Sequence, residues 1–70
     1  MNLTYLIECS LQIAWEYLER SGELDEPREA GDFLLRSIEE MVRHGERRRL
    51  MLSNKAIDQY RKFRREKLAA

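Results

Sequence analysis

Apolar residues recur at spacings of three and four between residues 3 and 18, the signature of a helix with a greasy side. They are Leu3, Leu6, Ile7, Leu11, Ile13, Ala14, Trp15, Tyr17 and Leu18. At about 100° per residue they spread over roughly 200° of the helix surface. Glu8, Gln12, Glu16 and Glu19 share the remaining side with Tyr5 and Cys9. A helix resting on one neighbour needs an apolar arc of only about 100° or a little more. The wider arc predicts a helix gripped from two directions, by two partner helices or by its own chain and a second copy. Asn2 or Thr4 can cap its start, Ser21-Gly22 can stop it, and Arg20 suits the negative end of the helix dipole.

A second helix is predicted over residues 27–44. Pro27 is well tolerated in a first turn, and Glu26, Glu29 and Asp32 favour a helix N-terminus electrostatically. Ala30, Leu34, Leu35, Ile38, Met41 and Val42 fall within about 160° of one face. Asp32–Arg36 and Glu39–Arg43 are acid-before-base pairs four apart, which support a helix and carry no functional information. Gly45 is a left-handed stop. Continuing past it would turn Arg48 and Arg49 onto the apolar face, so a break is expected there. The third helix then begins somewhere between Glu46 and Asn54, with Ser53 and Asn54 as available caps, and runs to about residue 68. Its stripe is Ala56, Ile57, Tyr60 and Phe63, extending to Leu68. Leu24, in the first loop, is expected to tuck against the bundle.

Seventy residues make a single domain, 1–70, close to the lower limit for a self-sufficient core. Chains this short usually rely on disulfides, a metal, oligomerisation or very regular helix packing. One cysteine cannot close an internal bridge, and one cysteine with one histidine makes a poor metal set. We therefore expect no metal and no cofactor, and an all-α fold: a small three-helix antiparallel bundle associating as a two-fold homodimer. The opening residues lack the basic run and small-residue site of a secretion signal, and Glu8, Gln12 and Glu16 interrupt the apolar stretch. With a lone thiol, these features lead us to expect a cytoplasmic protein without a membrane span.

Charge is distributed unevenly. Residues 1–45 hold ten acids and four bases, and residues 46–70 hold nine bases and three acids, so −6 and +6 cancel. Such asymmetry can mark nucleic-acid contact, through phosphate contacts from Arg47, Arg48, Arg49, Arg61, Lys62, Arg64, Arg65 and Lys67. The plainer expectation is that the basic segment lies against acidic helices, in its own subunit or the next. A helix-turn-helix fits poorly: a helix over Glu46 to Arg49 would have almost no apolar anchors, and a turn at residues 50–52 would lack glycine.

Catalysis is the weakest reading. His44 stands at a predicted helix end, where a protonated imidazole meets the dipole favourably. Cys9 lies on the polar side of its helix with no activating cation nearby in sequence. Glu40 and His44 are four apart, not the three of a di-iron Glu-x-x-His element. No catalytic residue is expected. The leading expectation is a protein–protein interaction or regulatory module that self-associates through Leu6, Ile13, Trp15 and Tyr17 of the first helix, aromatic anchors commonly dominating such interfaces. The alternative is a nucleic-acid-binding protein using the basic C-terminal segment.

Overall fold

Asn2 sets the start of the first helix. Its side-chain oxygen accepts hydrogen bonds from the backbone N–H groups of Thr4 at 2.9 Å and Tyr5 at 3.3 Å, two donors with no partner inside the helix. The computed structural model describes residues 2–69, so residues 1 and 70 of the expected domain lie outside the described residues. Helix α1 spans Leu3–Arg20, α2 spans Pro27–Arg43 and α3 spans Arg49–Ala69. Among the described residues there is no strand.

Both inter-helix loops begin the same way. After α1, Gly22 adopts φ +72°, its N–H donates to Glu19 O, and the Glu23 N–H reaches back to Leu18 O at 2.9 Å. After α2, Gly45 adopts φ +102°, its N–H donates to Val42 O, and the Glu46 N–H reaches Met41 O at 3.0 Å. Each closes a helix with a left-handed residue that satisfies its last carbonyls, a conformation that favours glycine. Glu26 caps α2 by accepting from the Arg28 N–H, with Pro27 in the first turn.

The third helix starts at Arg49, and Ser53 and Asn54 do not cap it. Ser53 is fully buried one turn inside, its hydroxyl donating to Arg49 O at 2.9 Å and to Ser10 O of α1 at 3.2 Å. Leu50, Met51 and Leu52 therefore form the first turn of α3, and Leu52 joins the core. A run of three arginines hides this start from periodicity, since the apolar stripe is readable only from Leu52 onward. At the other end Leu68 is 73% exposed and outside the core, contrary to the expected stripe.

All three helix pairs are in contact. Ser53 meets Ser10, and eight residues further along α3 Arg61 meets Tyr17, so α1 and α3 run parallel with α2 antiparallel to both. The buried positions of α1 (Leu6, Ser10, Ala14, Leu18) and of α2 (Ala30, Leu34, Ile38, Val42) repeat every four residues. From α3 come Leu52, Ser53, Ala56, Ile57 and Tyr60. Five of these thirteen are Ala or Ser, which lets the backbones approach closely. At the edges, Phe33 stacks on Phe63 with centroids 4.6 Å apart, and Trp15 lies over Gly31. Leu24 is half-buried against the core.

Candidate interaction surface

The broad apolar arc of α1 is mostly consumed within one chain. Toward α2 lie Ile7, Leu11 and Trp15, half-buried against the core. Leu6 is only 5% exposed, and Trp15 is packed beside Gly31. Of the four expected interface residues, these two therefore serve the bundle itself. Ile13 and Tyr17 lie on the opposite edge, next to α3. Ile13 is half-buried and Tyr17 is 49% exposed, with the Arg61 guanidinium 5.4 Å from its ring centroid.

Ile13 and Tyr17 continue a ridge whose other two members, Tyr5 and Cys9, fall on the polar side of the helix by periodicity alone. Tyr5, Cys9, Ile13 and Tyr17 are four apart, so they form one oblique row on the helix. Tyr5 is 63% exposed and Cys9 is a half-buried free thiol. Hydrogen bonding with Cys9 raises the Tyr5 pKa above its ordinary value. One shallow groove along the row is lined by Tyr5, Glu8, Cys9, Gln12, Ile13 and Arg49. The signal that could have found this ridge was the four-residue spacing itself, obscured because a tyrosine and a cysteine were counted as polar.

The basic segment lies largely against acids of its own chain. Arg61 makes two bonds to Glu23, Nε to Oε1 at 2.8 Å and a terminal nitrogen to Oε2 at 2.9 Å. Arg64 holds Asp25 the same way, at 2.6 and 2.8 Å, and Lys67 reaches Glu29. Three cations at steps of three along α3 thus meet three carboxylates on the α1–α2 loop and the first turn of α2. At the other end, Arg47 caps α2 by donating to Val42 O at 2.6 Å, and Arg48 pairs with Glu46 at 3.1 Å. Of the eight candidate phosphate contacts, Arg48, Arg61, Arg64 and Lys67 are in ion pairs and the Arg47 guanidinium is spent on backbone carbonyls, whereas Arg49, Lys62 and Arg65 have no side-chain ion pair or hydrogen bond among the described residues. Arg49 is about 20 Å along the helix from Lys62, so the three form no single cluster. The turn that a helix-turn-helix needs at residues 50–52 is helical.

These pairs are surface contacts, weakened by solvent and by added salt. Glu23 is lowered to about 2, chiefly by its bonds to Arg61 and then to the Ser21 hydroxyl. Glu46 is also lowered to about 2, chiefly by Arg48. A carboxylate whose folded pKa is depressed stabilises the fold fully above its ordinary value of 4.5, and the contribution is lost as pH falls toward 2. Arg61→Gln is expected to move the Glu23 titration midpoint up from about 2 toward 4.5, read from its side-chain carboxyl carbon by NMR. A midpoint that stays near 2 would assign the shift to another group.

His44 is exposed at the C-terminus of α2, with Nδ1 2.8 Å from Glu40 O and 3.5 Å from the Glu40 carboxylate. Arg43 pairs with Glu40 rather than the expected Glu39. Among the described residues no three His, Cys, Asp or Glu side chains gather as a metal site, and no helix is long and apolar enough to cross a membrane. Together these features define a small three-helix bundle. Compared with known protein families, curated proteins and solved structures, the chain gives no match, so its own geometry is what bears on function.

Proposed function

We propose that the chain is a non-catalytic protein–protein interaction or regulatory module that self-associates through α1, as a homodimer working in a reducing, cytoplasmic setting. The observation that carries this reading is the ridge of Tyr5, Cys9, Ile13 and Tyr17, left at least partly open after α2 and α3 have covered the arc from Leu6 round to Trp15. A standard interface removes roughly 800 Å² from each partner, about a sixth of the 4989 Å² that this chain exposes. The open side of α1 together with adjacent α3 can supply an area of that order. The lone Cys9, with no second cysteine to oxidise it internally, supports the reducing compartment.

Charge on the ridge is the lever for testing the idea. Ile13→Glu is expected to abolish self-association while leaving the bundle folded, because position 13 faces outward enough to hydrate a carboxylate. Sedimentation velocity beside circular dichroism separates the two effects. A variant that associates as the wild type does would place the interface elsewhere.

Nucleic-acid binding ranks second, supported by the unpaired Arg49, Lys62 and Arg65. The other five candidate cations already have partners in their own chain, so a polyanion would have to displace them before releasing counterions. Tight, steeply salt-dependent binding of duplex DNA or RNA would reverse this ranking.

A further inference from the structure

The charges beside the ridge specify how a second copy would sit. On the α1 side the ridge is bordered by Glu8, Gln12 and Glu16, the last two hydrogen-bonded to each other. On the α3 side it is bordered by Arg49, which shares the groove with Tyr5 and Cys9, and further along by Arg61, which meets Tyr17 while its charge is held by Glu23. Where Tyr5 and Cys9 form the row, the face is thus acidic on one side, at Glu8, and basic on the other, at the unpaired Arg49.

A two-fold axis can lie along the ridge or across it. An axis across the ridge makes the two copies of α1 antiparallel and keeps each flank facing its own image, carboxylates on carboxylates and arginines on arginines. An axis along the ridge makes the copies parallel and exchanges the flanks. Glu8 of one copy then meets Arg49 of the other, at the same height along the helix. Opposed potentials fix register, and like charges brought together are penalised. We infer that the second copy docks ridge to ridge with the two α1 helices parallel, Glu8 against Arg49 and Cys9 opposite Cys9. This rests on the self-association proposed above.

Native Cys9 serves as the reporter of register. In the associated wild-type protein, a mild thiol oxidant such as diamide is expected to cross-link the two chains through Cys9. The rate should be about a hundredfold above that of Cys9→Ser/Glu39→Cys, whose thiol sits on the outer face of α2, because docking raises the local thiol concentration toward millimolar. Glu8→Lys and Arg49→Glu should each weaken association, and mixing the two variants should restore it. A wild type of dimeric mass that cross-links no faster than the control, with Glu8→Lys associating more tightly, would overturn the parallel arrangement and leave self-association standing. A monomeric mass would overturn both.

Discussion

Leu34→Ala is expected to cost about 3 kcal/mol, within the 2–5 typical of buried leucine truncation. Leu34 is completely buried at the middle of α2, on the stripe that faces both other helices. A chain of this length has a total stability of roughly 4–10 kcal/mol, so one truncation removes a third or more of it. Neighbours cannot readily fill the space, since the adjacent buried positions of the stripe are Ala30, which is too short, and Ile38, which is β-branched and stiff. Urea unfolding followed by circular dichroism measures the loss as a lowered midpoint at unchanged slope. A cost below about 1 kcal/mol would mean that the helices close around the gap.

Ser53→Leu is expected to be at least as damaging, for the opposite reason. Ser53 has no exposed surface, and its hydroxyl oxygen is 3.2 Å from a backbone carbonyl of α1. A leucine there meets main chain, which cannot rotate away, and α1 must separate from α3. Overpacking typically costs about 1–3 kcal/mol and more where backbone must shift. Ser53→Ala is the matching control. Its hydroxyl donates to carbonyls that already lie in helical ladders, so losing it leaves no orphaned acceptor and costs about 1 kcal/mol or less, offset by the higher helix propensity of alanine. Thermal unfolding of the pair separates volume from hydrogen bonding. Equal effects of the two substitutions would contradict close approach of α1 and α3 at this point.

What was legible in the sequence was local. Asn2, Gly22, Pro27 and Gly45 act on their own stretch of backbone, so punctuation located the helix ends without tertiary knowledge. The opposite charges of the two parts of the chain were visible as sums. Their pairing of Arg61 with Glu23, Arg64 with Asp25 and Lys67 with Glu29 needed the fold, because those partners are 38 or 39 residues apart. Ser53 reads as a cap in the sequence and Ser10 carries no signal there, yet both are buried where α1 and α3 touch, since a hydroxyl can satisfy itself on a carbonyl one turn back. Phe33 was missed because it lies at the edge of the α2 stripe and becomes apolar contact only when Phe63 arrives. The ridge on α1 was half legible. Ile13 and Tyr17 stood out as hydrophobic, whereas Leu6 and Trp15, equally hydrophobic, are drawn inward by α2 and α3.

The proposal stands on whether that ridge is covered in solution. Sedimentation equilibrium of the unmodified chain at micromolar concentrations, at low and high salt, tests this most directly. Twice the 8.4 kDa of one chain is expected, with high salt loosening the contact in so far as Glu8 and Arg49 hold it. A single-chain mass throughout, from a sample whose circular dichroism shows intact helices, would contradict it.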